Sequence, residues 1–308
     1  MNKLPLTIVT AVLNEERILP DFLKHVTSIA DEVIVVVDYR NTDKSIEIAT
    51  DHGCKVLVDK GQSEGIVFNN KNWGIEQAKN DWVMIVDADE RLDETLQKEV
   101  IKIVNGETSS KANIFQTSFV NFEFGKLFEK SDQKQKPFVR LFRKGSFIYQ
   151  TGKTAEGFGI QTNSLADQNS LGKVMLRIPL LRTWYIKQNK NIATLKGHLI
   201  HFSHPTISEF IRKIDHYSTR EAKILFGNNP KISGFTIVCR LLTEPVKEYL
   251  YKLYIWKLYK EGTHGFIASV IYGFYRFLIN AKLYHLVYKE KHLKDINKLG
   301  EKYHFQEL

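Results

Sequence analysis

The stretch Asn80 to Leu92, N-D-W-V-M-I-V-D-A-D-E-R-L, constrains this chain more than any other. Trp82 to Val86 is an apolar run, too short for most helices and bounded by charge, so it reads as a buried strand. Asp87, Asp89 and Glu90 then arrive together at its carboxyl end. Open α/β sheets bind ligands beyond the carboxyl ends of their strands, and crowded carboxylates repel one another unless a cation sits among them. Asp87 and Asp89 are two apart and share one side of an extended segment. Hard oxygen ligands with open positions suit a divalent ion, Mg²⁺ or Mn²⁺, shared with a diphosphate, rather than zinc. A second reading makes Asp89 and Glu90 caps for a helix starting near Asp93-Glu94, where the dipole favours acids.

Around this strand the pattern alternates. Leu6 to Leu13 is a β-rich run, followed by Asn14-Glu15-Glu16 and apolar residues at helical spacing from Ile18 to Ile29. Asp31 to Asp38 gives a second strand and the turn Tyr39 to Asp43. A helix from Ser45 to His52 stops at Gly53, Cys54 to Val58 is a short strand, and Phe68 to Ala78 is a helix. Strands alternating with helices imply a mostly parallel sheet with right-handed crossovers, an α/β fold.

Four segments in order, T-A-V-L-N-E-E, V-V-V-D-Y-R-N-T-D-K-S, Asn69 to Gly74 and V-D-A-D-E-R-L, resemble the successive motifs of family 2 glycosyltransferases of the GT-A fold. The resemblance covers roughly the first hundred residues. It implies that Ala11 and Glu15 line a nucleotide pocket, that Asp38 contacts the base or ribose, and that Asn72, with Lys71 beside it, faces the nucleotide. Asp87 and Asp89 would hold the donor through its metal. Carboxylates accept from ribose hydroxyls and base N–H groups, and a metal neutralises a leaving diphosphate. Tyr39-Arg40 departs from the small residues usual there, and its bulk would narrow the pocket.

The phrase R-L-F-R-K-G at Arg140 to Gly145 extends the resemblance to a subgroup that decorates bacterial lipopolysaccharide cores and related glycolipids. In that subgroup a short His-Glu motif follows, whose glutamate takes the acceptor proton. Here the match is Thr154-Ala155-Glu156, without the histidine, which carries that catalytic role to Glu156. Ala112 to Phe122 and Phe138 to Phe142 read as strands. The charged Lys126 to Lys136 segment between them reads as a mobile loop near the acceptor. Residues 157–191 match poorly and take no assignment.

Resemblance resumes at H-L-I-H-F-S-H-P, His198 to Pro205. A histidine near this point completes the metal site in related enzymes, and His201 matches best, with His198 and His204 as competitors. Thr206 caps a helix carrying Ile207, Phe210, Ile211 and Ile214, on which Lys213, Tyr217 and Arg220 are candidate acceptor or diphosphate contacts.

Charge divides the chain. Of 44 Lys+Arg and 35 Asp+Glu, residues 1–110 hold 12 and 20, and the remainder is strongly basic. A partner of negative charge follows, nucleic acid or an anionic membrane. Tyr249, Tyr251, Tyr254, Trp256 and Tyr259 interleave with Lys247, Lys252, Lys257 and Lys260, as in helices lying at a bilayer interface. Ordinary helices packed on a catalytic domain are the other reading. The apolar run Phe266 to Leu278 is shorter than the ~18 residues that suggest a spanning helix. No nucleic-acid motif is present. Two distant cysteines, read as small buried hydrophobes, suit a reduced, intracellular protein, and Met1 to Pro5 lacks signal-peptide features.

The expectation is therefore a GT-A catalytic domain over residues 1–230, with the nucleotide-sugar part in 1–110 and the acceptor side in 111–230, followed by a basic, aromatic helical extension over 231–308. Its activity would be inverting, metal-dependent transfer of one sugar, from UDP-glucose or a similar UDP-hexose to a glycolipid or lipopolysaccharide-core saccharide. It would sit peripherally on the cytoplasmic face of a bacterial inner membrane. A polyprenyl-linked or protein acceptor, or a non-catalytic sugar-nucleotide-binding module, are the alternatives.

Overall fold

The computed structural model describes residues 3–132, 137–149, 160–161 and 191–303. Its centre is a sheet in the order β3-β2-β1-β4-β8-β6-β11-β5, with β7 paired to β6. The strands are β1 (Leu4–Val12), β2 (Ala30–Val37), β3 (Lys55–Val58), β4 (Trp82–Ile85), β5 (Glu90–Leu92), β6 (Ile114–Glu123), β7 (Lys126–Leu127), β8 (Phe138–Arg143) and β11 (Ile192–His204); β9 (Ile148–Tyr149) and β10 (Ile160–Gln161) pair separately. β3, β2, β1 and β4 are parallel, whereas β8 runs antiparallel to β4 and β6, and β5 antiparallel to β11. The expected α/β class holds, with the antiparallel strands beyond β4.

Both faces of the parallel strands are covered, which is why they read as near-continuous apolar runs. Leu6, Ile8 and Val12 of β1 pack with Leu19 and Phe22 of α1 (Leu19–Thr27) and Leu96 and Val100 of α4 (Glu94–Val104). Val9 joins Ile34, Val36 and Ile75 on the opposite face, Ile75 coming from α3 (Val67–Glu76). The period of two in β1 sends alternate side chains to the two cores. α2 (Ser45–Asp51) connects β2 to β3.

The chain divides into two compact units, Met1–Val120 with Gln135–His201, and Asn121–Lys134 with Phe202–Leu308. The second is mainly helical: α5 (Ile207–Asn228), α6 (Gly234–Leu250), a π turn over Tyr251–Ile255, a 3₁₀ turn over Leu258–Glu261, α7 (Thr263–Lys291) and α8 (Leu293–Tyr303). Thr206 caps α5 as expected, its hydroxyl accepting from the Glu209 amide at 3.2 Å. Ile237 clusters with Leu283 while Tyr249 meets Phe266, so α6 and α7 run antiparallel. Gly273 lies where a Cβ would come 2.9 Å from the Pro245 carbonyl oxygen, which lets the two backbones approach.

Three expectations are corrected. The segment after Lys126 is pinned through Asp132, because buried Glu261 accepts from the Lys130 and Ser131 amides at 2.6 and 2.8 Å and pairs with Lys126 at 3.1 Å. The apolar run from Phe266 belongs to a helix of 29 residues, long and apolar enough by length and composition to cross a membrane. Of the two cysteines, Cys54 is half-buried but Cys239 is exposed.

Candidate functional site

A cavity of about 430 Å³ opens in the first unit beyond the carboxyl ends of β1 and β4. Ala11 and Glu15 reach it from the end of β1, Lys71 from α3, Asp87 to Glu90 from the segment after β4, Arg140 from β8 and His201 from β11. Phe68 and Tyr149 form an aromatic wall, their rings stacked at 4.9 Å, with the Lys71 ammonium 5.8 and 5.9 Å from the ring centres.

Asp87 is held by two cations. Lys71 Nζ stands 2.5 Å from Oδ1, and Arg140 Nη1 stands 3.5 Å from Oδ2. Burial opposes the ionised carboxylate, but Lys71 and then Arg140 outweigh it and hold Asp87 well below the usual carboxylate range. Burial likewise opposes the Lys71 charge, and Asp87 reverses that, so the lysine pKa is raised. Arg140 Nη2 also pairs with Glu90 Oε1 at 2.5 Å, and Glu90 Oε2 accepts from the Asp87 amide at 2.9 Å. Burial pushes Glu90 up to about 7, the Arg140 charge only partly offsetting it. Four alternating charges thus fix the backbone around the D-x-D pair.

Asp89 and His201 form the other half of the site, with Oδ2 and Nε2 3.3 Å apart. The Phe119 ring lies 4.9 Å from the imidazole. Register explains the meeting: in the β11 and β5 pairing His201 stands opposite Glu90, the neighbour of Asp89. The competing histidines have other duties. His198 Nδ1 and Ser118 Oγ are 2.9 Å apart, and His204 bonds Glu123 at 2.7 Å while stacking on Phe210. Nor do Asp89 and Glu90 cap α4. Asp93 does, accepting from the Leu96 amide at 2.6 Å.

The donor set can be weighed against a divalent ion. Two ligands at right angles on an octahedral ion, each ~2.1 Å from it, stand about 3 Å apart, so Asp89 and His201 have the separation of adjacent ligands. Asp87 is committed to Lys71 and Arg140. Among the described residues no group of three or more His, Cys, Asp or Glu is arranged to hold a metal. Asp89 and His201 are thus the two residues whose separation fits a divalent ion, and they would leave its other positions open.

Two residues expected at the nucleotide do not line the cavity. Asp38 is gripped by Arg40, whose Nε and Nη2 donate to its two carboxylate oxygens at 2.8 and 2.9 Å, and that bond chiefly depresses its pKa. Asn72 exchanges two hydrogen bonds with the Tyr149 backbone at 2.9 and 2.8 Å, tying α3 to β9. Lys213, Tyr217 and Arg220 lie on α5 in the second unit, where Lys213 Nζ donates to the Ser203 carbonyl at 2.7 Å and Tyr217 is exposed. Glu156 lies outside the described residues. Arg140 was not singled out from sequence as a site residue. Its signal was an arginine inside the apolar run F-V-R-L-F, which a buried strand tolerates only opposite an acid.

Residues 7–175 match the family model described as glycosyl transferase family 2. An uncharacterized glycosyltransferase of Rickettsia typhi is 30% identical over 301 residues, covering 95% of this chain and 90% of that protein. The lipopolysaccharide core biosynthesis glycosyltransferase LpsC of Rhizobium meliloti is 25% identical over 293 residues, covering 92% and 93%. Among solved structures, that of S. aureus TarS 1-349 has a TM-score of 0.42 at 12% identity, covering 93% of this chain and 91% of that one.

Proposed function

We propose that this chain, which belongs to glycosyl transferase family 2, moves a single sugar with inversion from a UDP-hexose to a saccharide on a glycolipid of the lipopolysaccharide-core kind, at the cytoplasmic face of a bacterial inner membrane. The observation that carries the reading is the charge arrangement at the strand ends: Lys71 and Arg140 on Asp87, beside the Asp89 and His201 pair, in one cavity. The similarity to LpsC supports the acceptor class.

Asp89 and His201 would hold Mg²⁺ or Mn²⁺, which when bound supplies positive charge against the departing diphosphate. Lys71 and Arg140 add two fixed cations to the same cavity. They are already oriented by Asp87 and Glu90, so little reorganisation is needed as negative charge develops. Phe68 and Tyr149 offer a stacked aromatic wall to a nucleobase. Glu15, at the mouth of β1, is placed to accept from the donor's hydroxyls. An inverting displacement also needs a carboxylate to take the acceptor proton as the hydroxyl attacks the anomeric carbon, and Glu156 is assigned that part on its sequence setting.

The test is binding and slow hydrolysis across a panel of nucleotide sugars, with Mn²⁺, with Mg²⁺ and with chelator, comparing wild type with Asp89→Ala. Selectivity for one UDP-hexose that is lost in the variant is expected. Absence of binding to every donor would sink the reading.

A further inference from the structure

Helices α6 and α7 carry a row of exposed apolar side chains. On α6, Phe235, Val238, Leu242 and Val246 are exposed, Phe235 by 78% and Leu242 by 71%. Their spacing of three and four places them on one stripe. On α7, Phe266, Val270, Phe274 and Phe277 are exposed at the same spacing, and Tyr284 and Tyr288 follow on that face two turns further along.

Helical geometry joins the two stripes. α6 meets α7 through Pro245 and Tyr249, and α7 meets α6 through Gly273. At about 100° per residue, the stripe on each helix begins beyond its contact line in the same rotational sense, viewed from that helix's own N-terminus. Because the helices are antiparallel, equal rotations carry both stripes to the same side of the pair. The result is one two-helix apolar face, and the connecting turns expose Tyr254, Ile255 and Tyr259 as well.

Charge identifies what covers it. Residues 231–303 hold 13 Lys+Arg against 6 Asp+Glu. Exposed Lys291 falls by periodicity beside Tyr284 and Tyr288 on the α7 stripe, and exposed Lys260 follows Tyr259 at the turn. An apolar stripe with aromatics and a basic rim matches the layering of an anionic membrane surface.

The opposite side of α7 rules out a crossing. Arg276 pairs with Glu248 at 3.1 Å, Lys282 with Asp215 at 2.6 Å, and the Tyr275 hydroxyl donates to Glu221. A spanning α7 would carry these charged groups of α5, α6 and α7 into hydrocarbon.

We propose that the joint face of α6 and α7 docks on an anionic lipid bilayer with both helices lying in the plane of the interface, neither crossing it. This rests on the membrane contact in the reading above and names the surface that makes it.

The test is flotation of the full chain with phosphatidylethanolamine vesicles containing phosphatidylglycerol and with pure phosphatidylcholine vesicles. Wild type floats with the anionic vesicles and is released by salt. Leu242→Glu with Phe274→Glu lowers partitioning by about tenfold or more. Lys260→Glu with Lys291→Glu, both at exposed positions that leave the core intact, lowers it by about fivefold or more. Flotation of both variants like wild type overturns the proposal. So does a wild-type dimer that fails to float and that Leu242→Glu dissociates, which makes the face a self-association surface. Nucleotide-sugar binding measured without vesicles on the same preparations reports separately on the transferase reading.

Discussion

The Lys71 ammonium stands 2.5 Å from Asp87, so the first carboxylate of the D-x-D pair is already neutralised by the protein before any ligand arrives. Asp87 accordingly organises cations, while Asp89 pairs with His201 and, in the function proposed above, is the member that would hold a metal. Removing Lys71 leaves Asp87 with Arg140 alone. Lys71→Met is expected to cost about 2 kcal/mol, below the full penalty for a buried pair because Asp87 is partly exposed. In a double-mutant cycle with Asp87→Asn, urea unfolding is expected to show a coupling of about 1–3 kcal/mol. Additive effects would mean that the pair is not energetically linked.

Asp89 and His201 should differ from Asp87 in what they do to metal response. His201→Ala is expected to shift the Mn²⁺ concentration needed for donor binding upward by about tenfold. Asp89→Ala is expected to lower sugar transfer by on the order of a hundredfold at saturating Mn²⁺. Titration calorimetry and initial rates against metal concentration check both, and a metal response unchanged in either variant would count against the assignment.

Arg40 grips Asp38, and its loss should be visible in acid. The Asp38 pKa is held below its unfolded value, so its contribution is present above about pH 4 and is lost as pH falls through the folded pKa. Arg40→Ser removes that contribution. Arg40 is half-exposed, so the cost at pH 7 is expected to be about 1 kcal/mol or less. The gap between wild type and variant should narrow as pH falls below about 4. Urea midpoints at three pH values give the answer.

Gly197 lies where β11 crosses the start of α4, and a Cβ there would sit 2.1 Å from the Leu96 nitrogen, a backbone atom already tied to Asp93. Neither partner can yield cheaply. Gly197→Ala is expected to cost about 3 kcal/mol in thermal unfolding and to weaken the metal response as well, since β11 carries His201 four residues on.

Much of this molecule was legible in one dimension because its determinants are local. Apolar runs of four to nine residues between turn signals marked β1 to β4, helix patterns marked α1, α2, α3 and α5, and the acids at the strand end marked the cavity. Periodicity and strand ends depend only on neighbours along the chain. Arg40 shows the limit even at short range, because the sequence announced its bulk but not that it would fold back on Asp38.

The tertiary structure decided whatever depends on residues brought together from afar. That His201 rather than His198 or His204 meets Asp89 follows from the register of β11 on β5, and a slip of one residue would turn its side chain to the other face. That Arg140 closes the charge network follows from β8 lying beside β4. The apolar stripes of α6 and α7 are each readable as a period, but only the antiparallel packing of the two helices turns them to one side. Local sequence sets which side chains an element presents, whereas strand register and helix pairing set what those side chains face.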